Sequence, residues 1–143
     1  MLYKVKTIKI EYKIKENMVK ATINKAELAV ELLRQIYQEL DVDQEHFCIL
    51  ALNNHLNITG YKIISSGGQS SATIDPKIVF RNALLLGAAN IILAHNHPSG
   101  NITASNQDIE ITKKLKECGE LLQINVIDHI IFSQQDYSHV VYQ

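Results

Sequence analysis

Cysteine, proline and long apolar runs are scarce in this sequence, and their scarcity removes several classes of protein. Its two cysteines, Cys48 and Cys118, stand far apart within apolar or helical patterns, and neither belongs to a C-x-x-C pair. They read as reduced core residues, not as a disulfide framework. No window approaches the ~20 apolar residues of a membrane-spanning helix, and the N-terminal MLYKVKTIKIEYKIKEN lacks the continuous apolar core of a signal peptide. A soluble, cytoplasmic protein with no membrane partner is the expectation. Both G-x-G-x-x-G and G-x-x-x-x-G-K-S/T are missing, which argues against nucleotide-dependent chemistry. There is no internal repeat and no low-complexity segment.

Charge of one sign is scarce as well. The formal net charge is -1, so the molecule as a whole lacks the basic field of a protein that coats nucleic acid. The distribution is uneven, however. Lys4, Lys6, Lys9, Lys13, Lys15, Lys20 and Lys25 face only Glu11 and Glu16, a net of +5 through residue 25 that leaves -6 for the remainder. Such a segment reads as a solvated, lysine-rich edge strand that resists edge-to-edge pairing, with contact to nucleic-acid phosphates as the alternative.

The 143 residues, 46% of them hydrophobic, suffice for one domain with its own core and leave no room for a second of full size. Residues 3–15 alternate as a strand whose apolar face switches at Thr7 and Ile8, so a bulge or break is expected there. Between Lys25 and Leu40, Ala29, Leu32, Leu33, Ile36, Tyr37 and Leu40 recur at helical spacing behind Asn24, a candidate cap. HFCILAL and LNITGYKIIS form two strands joined through Asn53 and Asn54. A Gly/Ser loop around Gly67 and Gly68 then leads to Asp75-Pro76, a helix start in which Ile74 staples onto Val79, and the helix runs to about Ala88.

NIILAH is a short apolar run of the kind buried on both faces of a sheet, and it opens directly into the polar loop NHPSGNITASNQ. Ser105 starts a further helix, and INVIDHIIF and YSHVVYQ close the chain as strands. The order β-α-β-β-α-β-α-β-β specifies an α/β class, a single mixed β-sheet flanked by helices.

The chemistry concentrates after NIILAH. His95 and His97 are two apart at the end of a buried strand, where alternation turns both imidazoles to one side. That arrangement suits one divalent ion such as zinc, which takes nitrogen and carboxylate ligands and in catalytic sites keeps one position for water. Asp108 is the nearest carboxylate after the loop and the candidate third ligand. It has a second reading, because Ser105-x-x-Asp108 is also a capping box. His129, next to Asp128, reads as a satisfied histidine at a sheet end, with support of the metal site as the alternative.

The run His95-Asn96-His97-Pro98-Ser99-Gly100 followed by Ser105-x-x-Asp108 resembles the H-x-H-P…S-x-x-D signature of JAB/MPN metalloproteases, and most of all their bacterial RadC branch. Glu45-x-Phe47, Pro76 with Phe80-Arg81-x-Ala83, Ile111-Thr112 and Asp128-His129-x-Ile131 add to the similarity, which covers roughly residues 43–140. The resemblance implies a JAB/MPN, cytidine-deaminase-like fold, zinc on His95, His97 and Asp108, Glu45 as the acid/base residue and Ser105 as a stabiliser of the tetrahedral oxyanion. The chain departs from it at Lys77, where arginine is usual, and at Asn101-Ile102-Thr103-Ala104, where an acidic residue and a proline are common. Longer RadC-type proteins begin with a helix-hairpin-helix module. The first 44 residues here contain no such hairpin, and the first glycine is Gly60.

Three readings of function follow. The leading one is a zinc-dependent hydrolase acting on a peptide or isopeptide bond in a peptide or protein-conjugate substrate. The second is a DNA-repair-associated accessory protein that touches DNA through its basic segment. The third is a metal-binding interaction module without turnover.

Overall fold

A computed structural model describes residues 1–11, 13, 22–67 and 74–142. Its elements are helix α1 (Ala26–Tyr37), strands β1 (His46–Leu52) and β2 (Ile58–Ser66), helix α2 (Pro76–Leu85), strand β3 (Asn90–Asn96), helix α3 (Asn106–Leu122), and strands β4 (Asn125–Phe132) and β5 (Tyr137–His139). The strands form one mixed sheet in the order β2-β1-β3-β4-β5. Only the β3/β4 pair is parallel, and every other neighbouring pair is antiparallel.

The central strands bury both faces, and side-chain parity divides them between two apolar clusters. Cys48, Leu50, Leu52, Ile92, Ala94, Ile130 and Phe132 pack with α1 through Ala29, Val30, Leu33, Ile36 and Tyr37. Phe47, Ile49, Ile91, Leu93 and Val126 pack on the other side with Val79, Phe80 and Ala83 of α2 and Ile111 and Leu115 of α3. The result is a three-layer α/β/α stack in which the odd-numbered residues of β3, His95 included, face α2 and α3.

Several expected local signals are present. Asp75 Oδ1 accepts from the Lys77 amide with Pro76 in the first turn, and Ile74 joins the cluster that holds Val79. Ser105 and Asp108 form both halves of a capping box. Other expectations are corrected. Lys25, not Asn24, is the residue before α1, and no side chain caps that helix. The β1/β2 ladder closes at Leu52 and Ile58, so the connection spans residues 53–57, with the Asn53 side chain accepting from the amides of His55 and Asn57. Helix α2 stops at Leu85, and β5 is three residues long.

The lysine-rich strand is also corrected where it can be seen. Residues 1–11 are exposed and pair with no strand, so no ladder exists at Thr7 and Ile8 to carry a bulge. The rest of that expected strand and part of the Gly/Ser loop lie outside the described residues. Among the described residues, no helix is long and apolar enough to cross a membrane.

Candidate metal centre

The β3-α3-β4 unit builds the site. His95 occupies the C-terminal end of β3, His97 follows one residue beyond the strand, and Asp108 lies in the first turn of α3. A helix begins here because Ser105 Oγ accepts from the Asp108 amide at 3.0 Å and Asp108 Oδ2 accepts from the Ser105 amide at 2.9 Å. The carboxylate is thus fixed by the cap and still reaches the histidines. Asp108 Oδ1 lies 3.3 Å from His95 Nε2, Oδ2 lies 3.7 Å from His97 Nε2, and the two Nε2 atoms are 3.0 Å apart. The capping box and the approach of Asp108 to both histidines coexist.

Hydrogen-bond bookkeeping fixes the state of each imidazole. Thr112, fully buried one helical turn beyond Asp108, donates its hydroxyl proton to the Asp108 carbonyl at 2.6 Å. Its oxygen therefore accepts from His129 Nδ1, also at 2.6 Å. His129 is 1% exposed, and burial, with the nearby His95 and His97 opposing the pull of Asp108, keeps its pKa well below the ordinary value. As a neutral ring with Nδ1 protonated, it offers Nε2 as an acceptor, and His95 Nδ1 donates to it at 2.9 Å. His97 Nδ1 donates to the Asn101 carbonyl at 2.6 Å, an approach assisted by the turn at Gly100, whose φ of +86° favours glycine.

With Nδ1 donating, the neutral form of each of these two histidines presents an unprotonated Nε2 to the other and to a carboxylate. Burial alone would raise the Asp108 pKa, but when His95 is protonated its hydrogen bond and charge, together with the Ser105 cap, outweigh that and hold the carboxyl well below the usual range. Lone pairs facing one another across 3.0 Å repel unless a cation lies between them. Ligands ~2.0–2.1 Å from a tetrahedral zinc sit roughly 3.3–3.4 Å apart, close to the observed spacings. His95, His97 and Asp108 fit a metal ion, and they are the group of potential ligands that the described residues bring together.

The remaining expected site residues are Ser105 and Glu45. Ser105 is exposed at the cap, its hydroxyl proton without a partner among the described residues. Glu45 immediately precedes β1, two residues before Phe47, which pairs with His95 and stacks on its ring at 6.0 Å between centroids. The Gly67 amide donates to the Glu45 carbonyl at 2.8 Å and carries the β1/β2 pairing past His46. The pleat thereby places Glu45 on the sheet face shared by Phe47 and His95. Beside His97 opens a cleft of about 540 Å³, bordered by Arg34, Asp43, Asn96, Phe132 and Asp136 among others.

Thr112 was not among the expected functional residues, and His129 was expected as a satisfied sheet-end histidine with support of the metal site only as the alternative. His129 is not a bystander at the sheet end, since it stands directly behind a ligand and holds that ligand's proton in place. One signal for Thr112 was available, because it follows Asp108 by four residues and so lies on the same helical face.

A mixed sheet whose buried strand ends in His-x-His, answered by an aspartate from the next helix, defines a JAB/MPN-type α/β domain. The RadC-like JAB domain profile matches residues 23–141, and the chain belongs to that family. The match begins twenty residues before the likeness legible by eye and takes in α1. Similar proteins carry the designation UPF0758. One from Staphylococcus haemolyticus is 46% identical over 101 residues, 71% of this chain and 44% of that protein. One from Enterococcus faecalis is 40% identical over 108 residues, 75% of this chain and 47% of its own length. The chain spans a little under half the length of the curated relatives it matches.

Proposed function

We propose that the chain is a zinc-dependent hydrolase that cleaves a peptide or isopeptide bond. The observation that carries this reading is the convergence of two imidazole Nε2 atoms and the Asp108 carboxylate within 3.0–3.7 Å. His95, His97 and Asp108 hold the ion. When bound, zinc supplies Lewis acidity and brings the pKa of a water close to neutrality.

The chain's own groups do the rest. Glu45, on the face shared with His95, takes a proton from the attacking water and returns it to the leaving amine. Ser105 has its oxygen engaged by the Asp108 amide and its proton free to donate to charge developing on the substrate carbonyl. His129 and Thr112 keep the His95 tautomer fixed.

The test is a zinc-loaded sample against a panel of peptides and isopeptide conjugates, with Glu45→Gln as the control. Wild type should cleave a member of the panel, and Glu45→Gln should keep fold and zinc while losing ~10²- to 10⁴-fold in rate. Wild-type turnover in Glu45→Gln would require a different base. No cleavage by the zinc-loaded wild type across the panel would favour an interaction module.

A further inference from the structure

Asn96 separates the two histidines and, by alternation, points to the opposite side of β3. It is buried, and its amide contacts main chain on both sides of Glu45. Asn96 Oδ1 accepts from the His46 amide at 2.7 Å, and Asn96 Nδ2 donates to the Gln44 carbonyl at 2.8 Å. The orientation of this side chain is unambiguous, because a backbone N–H can only donate and a carbonyl can only accept. The β1/β3 ladder ends at Phe47 and His95. At the next step the Asn96 side chain acts as a substitute peptide group and adds one more rung.

We propose that Asn96 is a positioning residue that locks the main chain around Glu45 to the metal-ligand strand, so that base and ligands move as one piece. The inference rests on the reading of Glu45 as the base. Three main-chain groups around that residue are pinned, Gln44 O and His46 N by Asn96 and Glu45 O by the Gly67 amide. The Glu45 carboxylate makes no hydrogen bond or ion pair with another described residue, so its position depends on its backbone. Asn96 is bonded covalently to both His95 and His97, which makes it the shortest mechanical link between base and ligands. Few side chains replace it: alanine leaves the buried His46 N–H and the part-buried Gln44 C=O without this partner, and aspartate keeps the acceptor but loses the donor.

The test uses the full chain loaded with cobalt, with azide as an anionic probe of the open coordination position. Glu45→Gln should raise azide affinity about fivefold, the factor for two unit charges ~4 Å apart in water. Asn96→Ala should raise it by a similar factor, because the carboxylate is no longer held near the probe, and should add nothing in the Glu45→Gln background. His46 amide exchange should accelerate about five- to tenfold, and cobalt affinity should fall by less than the ~10-fold that loss of a group behind a ligand costs. Asn96→Asp, of equal size, carries the test if Asn96→Ala does not fold and should show the same changes in smaller degree.

Wild-type azide affinity in Asn96→Ala alongside a raised value in Glu45→Gln would overturn the proposal, as would unchanged His46 exchange. Unchanged azide affinity in Glu45→Gln itself would instead remove the reading of Glu45 as base, and the inference with it.

Discussion

His129 stands between His95 and Thr112 as a one-way hydrogen-bond relay, with 2.9 Å from His95 Nδ1 to His129 Nε2 and 2.6 Å from His129 Nδ1 to Thr112 Oγ1. Because Thr112 passes its own proton to the Asp108 carbonyl, the relay joins two of the three ligands behind the site.

Thr112→Val should therefore cost more than its shape suggests. Valine preserves volume but leaves the buried His129 Nδ1 proton without an acceptor, a loss of about 1–3 kcal/mol. Zinc affinity should fall ~10- to 100-fold, whereas Thr112→Ser should retain most of it. Urea unfolding and competition with a chromophoric chelator measure the two effects.

Metal content is the simplest check. Wild type should carry about one zinc per chain, and His95→Ala/His97→Ala should lose it. Equal metal in both by elemental analysis would remove the assignment.

Stability of the metal-free protein should weaken in mild acid. The pKa of His129 is lowered in the folded state, so the unfolded chain binds the proton first as pH drops through about 6.5. The contribution is fully present above that value. Below it the contribution declines by about 1.4 kcal/mol per pH unit for as long as folded His129 stays neutral. Asp108, also lowered, adds a second decline below about pH 4. Urea midpoints measured from pH 8 to about pH 2 should fall in this order, and His129→Gln should remove the first phase.

Gly119→Ala should destabilise the fold although it lies within a helix. A Cβ there would meet the Ile124 carbonyl oxygen at 2.3 Å, because the chain turns from α3 into β4 directly beneath it. The cost is about 1–3 kcal/mol, read as a drop in Tm of several degrees.

Much of the fold was legible because its patterns are local. The apolar run of β3, the Asp75-Pro76 start of α2 and the Ser105-x-x-Asp108 start of α3 each carry their own hydrogen-bond or burial logic. The grouping of His95, His97 and Asp108 was legible for the same reason, since alternation pairs His95 with His97 and the cap holds Asp108 at the helix start. The N-terminal alternation was not a reliable guide, because a period of two makes a strand only where a sheet edge receives it, and residues 1–11 meet none. His129 was hidden by a register shift. Ile91 pairs with Val126 but Ile92 with Asp128, so Ile127 is an extra residue, and counting alternate positions from Val126 puts His129 on the wrong face. Asn96 was hidden because its partners are main-chain atoms about fifty residues away, which no side-chain pattern reveals.

The donor set has a further consequence for which ion the protein carries. Each ligand is held by the protein itself, through a cap, a carbonyl or a neighbouring ring, and the two apolar clusters on either side of the sheet supply the folding energy. Loading is then an exchange reaction on a finished scaffold, unlike a small zinc finger in which the metal drives folding. Two imidazoles and a carboxylate, with Cys48 buried on the opposite face of the sheet, offer no thiolate to exclude harder ions or to favour softer ones. Intrinsic affinity places copper above zinc, and availability decides which divalent ion such a donor set would take. An ion recovered with the protein would then record the metal supply of the cell that made it.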